Sequence, residues 1–159
     1  MDSPWTFTGE SAAVSAADGL TLVDGTNFLI SERSGDFNGV GPVGLFMRDT
    51  RVLSFWQLTV NGSRIQPLTV GSSGPFSATF AGRVDRPDAP DEPIAVIRRR
   101  YLGRGMREDL ELRNHGSQPQ QLSIELGAAA DFGDLFAVKA GRRSESVETT
   151  SEPTDDGVR

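Results

Sequence analysis

The sequence contains no cysteine, one histidine and one lysine. Without cysteine there is no disulfide framework and no thiolate nucleophile. His115 alone cannot supply a histidine-based metal site, and its setting in "NHGSQP" is that of a turn rather than of a catalytic triad. No metal and no cofactor is expected. No apolar run approaches the ~18 residues that a membrane-spanning helix needs. The opening "MDSPWTFTGESAAVSAADG" lacks the basic head and continuous apolar centre of a secretory leader. Together these absences point to the cytoplasm. Helical periodicity is also missing along nearly the whole chain.

What remains describes a single β domain. A chain of 159 residues is of one-domain size and buries roughly 68–70% of its unfolded surface without covalent staples. Eighteen glycines and nine prolines supply many turns. The formal net charge of -6 counts against a nucleic-acid partner, and almost all the positive charge is arginine.

Period-2 alternation carries the fold signal. In "QLSIELGAAADF", Leu122, Ile124, Leu126, Ala128, Ala130 and Phe132 share one face, which predicts a half-buried strand. "FSATF" places Phe76, Ala78 and Phe80 inward, and "EDLELRN" places Leu110 and Leu112 together. "VLSFWQLTV" is apolar on both faces, the pattern of a central strand with Trp56 buried. Asn61-Gly62 predicts a tight hairpin, "NHGSQP" a second such connection, and "GRVDRPDAPDEP" a loop. Short strands separated by turns predict an all-β antiparallel sandwich or barrel. The expected divisions are a flexible lead over 1–17, the sandwich over 18–143, and an acidic tail or linker over 144–159.

Four stretches could carry chemistry. "SGDFNGVGPVG" lacks the Gly-Lys-Ser/Thr ending of a phosphate loop and the glutamate of a calcium loop, and is read as an ordinary loop. "RRRYLGRGMR" puts consecutive arginines on opposite faces of a strand, so it is either a solvated edge or an interface. "AADFGDLF" offers Asp131 and Asp134, a spacing open to acid–base glycoside chemistry or to capping in a turn. "RDTR" places Arg48, Asp49, Thr50 and Arg51 at the head of an apolar strand. They are either an internal arginine–carboxylate lock or a polar cluster aimed at a sugar or a neighbouring active site.

Four segments in order, "DGTNFLISERSGDF", "GLFMRDTRVLSFWQLTVNG", "RRRYLGRGMREDLELRNHG" and "LGAAADFGDLFAVKAG", resemble the N-terminal domain of bacterial glycogen debranching enzymes of the amylo-alpha-1,6-glucosidase type. The resemblance covers about residues 18 to 141. It implies a supersandwich-like fold, incomplete at the C-terminus here, set before a helical toroid that holds the catalytic acids. The implied function is non-catalytic support for hydrolysis of α-1,6-glucosidic branches. The implied partners are that helical catalytic domain and an α-glucan, with no nucleic acid and no membrane. No residue of this chain is expected to be catalytic. The resemblance also shifts the reading of "RDTR" toward a sugar rim or domain interface, with Asp131 and Asp134 beside it. A sandwich made to lie against a partner is further expected to form a homo-oligomer. The alternatives are an independent carbohydrate-binding module, using Trp5, Trp56 or Tyr101 as stacking platforms, and a ligand-free oligomerisation module.

Overall fold

The structure is a computed structural model that describes residues 19–87, 91–142, 153–155 and 157–158. Trp5, the lead over 1–17 and most of the acidic tail lie outside the described residues. The chain is an all-β fold built of short antiparallel strands. The first seven strands are β1 (Gly19–Asp24), β2 (Asn27–Glu32), β3 (Phe37–Asn38), β4 (Gly44–Met47), β5 (Thr50–Leu53), β6 (Phe55–Val60) and β7 (Ser63–Arg64). Three long strands follow as β8 (Gln66–Gly74), β9 (Ser77–Val84) and β10 (Ile94–Leu102), then β11 (Met106–Asn114) and β12 (Ile124–Ala129). The described chain closes with β13 (Gly133–Asp134), one short helix α1 (Leu135–Lys139), and the pair β14 (Pro153–Thr154) and β15 (Gly157–Val158). That last pair lies within 144–159, the stretch expected from sequence to be an acidic tail or linker.

One layer is the meander β11-β10-β9-β8. The facing layer is made of two sheets, β1-β2-β4-β5-β13 and β12-β6-β3. The inward face of β9 and β10 meets both in turn. Ala78, Phe80 and Leu102 pack with Leu22, Leu29, Phe37 and Leu45 of the first. Val84, Ile94 and Val96 pack with Leu58, Val60 and Ile65 on the second. Burial of apolar surface on this continuous face, at roughly 25 cal/mol per Å², is the main force holding the layers together. Helix α1 seals the outer side of the first sheet, where Leu135 and Val138 join Phe46 and Phe28.

Local chemistry explains the turns. Asn61-Gly62 closes β6 onto β7 with both residues at positive φ, 52° and 72°, as a two-residue hairpin demands. Gly82 sits where β8 crosses: a Cβ there would meet Gln66 O at 2.6 Å, so only glycine fits.

Several sequence expectations are corrected. "VLSFWQLTV" is not one strand. It breaks at Ser54, whose N–H donates to Ala129 O at 2.8 Å, and the chain passes from one sheet to the other there. Trp56 is half-buried rather than buried. Phe76 is 50% exposed because it belongs to the β8–β9 turn, not to β9. "NHGSQP" is no hairpin: β12 pairs with β6, not with β11.

The alternating face of β12 is largely uncovered. Ile124 and Leu126 are 49% and 47% exposed, although their cross-strand neighbours Val60 and Leu58 are fully buried. Leu110, on the inward side of β11, is exposed as well. The two layers therefore gape along the β11 and β12 edges.

Candidate functional site

The arginine run divides: Arg104 and Arg107 are exposed to solvent and Arg99 partly so, whereas Arg98 and Arg100 belong to the core. Strand β10 lies inside its sheet, and alternation turns Arg98 and Arg100 into the core beside Val96 and Leu102. They are 1% and 0% exposed. Buried guanidiniums need carboxylates, and two are supplied. Glu108 stands directly across the β10–β11 hairpin from Arg100. It accepts from Arg98 Nε at 3.1 Å and Nη2 at 2.9 Å, and from Arg100 Nε at 2.7 Å. Asp36, in the β2–β3 turn, accepts from Arg98 Nη1 at 2.5 Å and from the Leu58 N–H at 3.2 Å. Trp56 Nε1 donates to Glu108 at 3.2 Å. Arg100 also lies over the Phe80 and Phe37 rings, at 5.1 and 5.9 Å. Gly35 is required beside them, because its φ is +88° and a Cβ would come within 3.2 Å of Arg98 Cζ.

This cluster pins both sheets of one layer to the meander of the other. Burial pushes the Arg100 guanidinium down to about 10, and the neighbouring Arg98 adds to that, while Glu108 opposes it. Desolvation pushes the Glu108 carboxyl up, but Arg100 and Arg98 outweigh it and hold it below the usual range. Two guanidiniums thus face two carboxylates in the cluster, and Glu108 is held ionised between Arg98 and Arg100.

The "RDTR" residues divide between two jobs. Arg51 is buried and donates through Nε to Asp131 at 3.0 and 3.1 Å, with a second contact from Nη2 to Asp131 Oδ2. Its Nη1 donates to the carbonyls of Gly41 and Val43, at 2.9 and 3.2 Å. Hydrogen bonding from Arg51, helped by the Gly133 N–H, holds the Asp131 carboxyl below its usual range against a smaller desolvation effect. Arg51 thus makes the internal arginine–carboxylate lock that was one of the two readings of "RDTR". Asp134 caps α1, accepting from the Phe136 and Ala137 N–H groups at 2.9 and 3.2 Å. Asp131 and Asp134 thus serve separate structural ends. Thr50 is a half-buried strand residue paired with Asp134.

Arg48 and Asp49 are exposed at the tip of a two-residue turn between Met47 and Thr50, with φ of 49° and 65°. Asn-Gly is the usual content of such a turn; Arg-Asp gave no hairpin signal in the sequence. Three turns meet at this end of the sandwich. Asn27, beside the β1–β2 turn, donates through Nδ2 to Gly103 O in the β10–β11 turn at 2.9 Å. Between them lies a depression of about 440 Å³ lined by Thr26, Asn27, Met47, Arg48 and Arg104.

Sequence reasoning missed Asp36 and Glu108 as partners of the arginines. A signal for Glu108 existed: folding "RRRYLGRGMRE" about Gly103 and Gly105 brings Arg100 opposite it.

The fold and its ion pairs define an antiparallel β-sandwich whose buried acids are committed to arginines. The chain belongs to the family of N-terminal domains of (some) glycogen debranching enzymes, whose family profile matches residues 22–159. That match runs further toward the C-terminus than the resemblance read from the motifs. No curated protein matches the chain.

Proposed function

We propose that this chain is a non-catalytic sandwich domain of a glycogen debranching enzyme. It supports hydrolysis of α-1,6-glucosidic branches by a helical catalytic domain in the cytoplasm. The observation that carries the reading is the state of its acids. Asp36, Glu108 and Asp131 are each neutralised by arginine, and Asp134 caps a helix. Glycoside hydrolysis needs one carboxyl that can hold a proton beside one that is free and ionised. These four carboxyls form no such pair.

The exposed Arg48 and Asp49 tip, with exposed Phe132 and Phe136 on the neighbouring α1 corner, is suited to the rim of a glucan site or to a domain contact. A self-sufficient carbohydrate-binding module is less well supported. Trp56 is tied to Glu108, which leaves exposed Tyr101 on the outer face of β10 as a lone platform among the three candidates that are described.

The test is direct. The 159-residue chain, incubated with a branched dextrin, should release no glucose above buffer. Release that disappears on Asp134→Ala would sink the non-catalytic reading.

The gaping edges also bear on partners. Ile124 and Leu126 on β12 and Leu110 on β11 are exposed apolar residues along an open seam, and among the described residues β12 pairs on one side only. Free in solution, two copies are expected to cover this seam by a two-fold contact. Light scattering at micromolar concentration should give a dimer mass, and Leu126→Asp should return it to a monomer. A monomer mass at every concentration would remove self-association.

A further inference from the structure

The three-turn end of the sandwich holds charge that the fold does not consume. Arginines on the long strands pair with carboxylates: Arg98 and Arg100 inside, Arg99 with Glu111 and Arg107 with Asp109 outside. Arg48 and Arg104 form no ion pair or hydrogen bond among the described residues, yet both line the same depression. Its volume of about 440 Å³ is of the size that takes a small molecule. The Asn27–Gly103 hydrogen bond ties two of the turns that frame it, so the frame does not depend on a ligand to form.

Backbone strain marks the same spot. Arg48 occupies left-handed space at φ 49°, where asparagine or glycine would sit more cheaply. Strain of this kind persists where the surroundings enforce it, and it clusters at functional sites. Here it sets Arg48 on the wall of the cavity.

The ligand chemistry follows from the donors. Guanidinium forks match oxyanions with paired N–H bonds. A neutral sugar would leave two positive charges uncompensated, and a carboxylate would answer one. A phosphate monoester carries about −1.5 to −2 charge at neutral pH and three acceptor oxygens. Thr26 and Asn27 add polar wall beside the arginines. We propose that the depression between the β1–β2, β4–β5 and β10–β11 turns binds a phosphate group through Arg48 and Arg104. The source is a sugar phosphate or free phosphate, which share this chemistry. The site does not depend on the debranching reading, which is judged by glucose release rather than by binding.

Calorimetric titration of the whole chain, at constant ionic strength in chloride buffer, tests it with three probes: glucose 6-phosphate, inorganic phosphate and maltose. Saturable binding of a phosphate probe is expected, and maltose should give none. Tighter binding of glucose 6-phosphate assigns a sugar phosphate; equal binding of the two assigns the phosphate group alone. Arg104→Gln and Arg48→Asn should each weaken the phosphate probe about tenfold, the order expected for one charge-assisted hydrogen-bonding group. Arg33→Gln, which removes an equal charge elsewhere, should leave binding unchanged. Asparagine suits the left-handed turn, so Arg48→Asn should not lower the thermal midpoint, and a loss of affinity then reports the site rather than unfolding. Three results would overturn the proposal: no saturable phosphate binding in the millimolar range, equal weakening by Arg33→Gln, or binding indifferent to Arg48 and Arg104.

Discussion

Glu108→Gln is expected to lower the thermal midpoint of the domain by roughly 10 °C or more. The reasoning starts from burial. The Glu108 side chain is 4% exposed, and its two partners are 1% and 0% exposed. A buried ion pair adds little over a well-packed apolar trio, but deleting one partner strands the others. Such deletions cost about 3–5 kcal/mol, and each kcal/mol moves a domain of this size by about 2–4 °C. Glutamine keeps the shape and the carbonyl acceptor but not the charge, leaving Arg98 and Arg100 to share Asp36 alone. The matched control is Asp109→Asn, one residue along the same strand. Its partner Arg107 is 76% exposed, and pairs of that kind contribute about 0–1 kcal/mol. Thermal unfolding followed by circular dichroism reads both variants. Equal midpoints for the Glu108 and Asp109 variants would contradict a load-carrying central cluster.

The same cluster shows what sequence could and could not disclose. Period-2 alternation made the all-β sandwich legible, and Asn61-Gly62 marked its hairpin correctly. Alternation says which residues share a face, but not whether anything covers that face. Ile124 and Leu126 alternate as a buried strand would, and the structure leaves them exposed because β12 is an edge. Arg98 and Arg100 present the reverse case. Charge suggested solvent, but register against Glu108 and the distant Asp36 turned them into core. Cross-strand register between adjacent strands was within reach; the contact across 62 positions was not. The "RDTR" tip was hidden for a different reason. Arg48-Asp49 lacks the Asn-Gly or Asp-Gly pairing that marks such a turn, so in sequence it looks like the head of a strand.

Asp131→Asn is expected to cost about 2 kcal/mol of stability at neutral pH, and the cost should fade in acid. Arg51 is buried and directs Nε and Nη2 at this carboxylate, so removal of the charge weakens three contacts at once. The carbonyls of Gly41 and Val43 still hold Nη1, which keeps the loss below that of a fully stranded charge. The sign of the pH effect follows from linkage. The folded-state carboxyl titrates below its ordinary value, so its stabilisation is fully present above the unfolded pKa. It is lost as pH falls through the depressed folded value, where native Asp131 becomes as neutral as asparagine. Native and variant stabilities should therefore converge as pH drops below about 4, the ordinary aspartate range. Glu108 contributes an acid-sensitive share to both proteins, because its folded pKa is also depressed. Asp134→Asn is the comparison that separates the two aspartates, since asparagine caps a helix about as well and the variant should stay near native stability. Urea unfolding at several pH values measures all three proteins. If Asp131 served a sugar rather than the fold, its variant would match Asp134→Asn at pH 7, or would differ from native by an amount that does not change with pH.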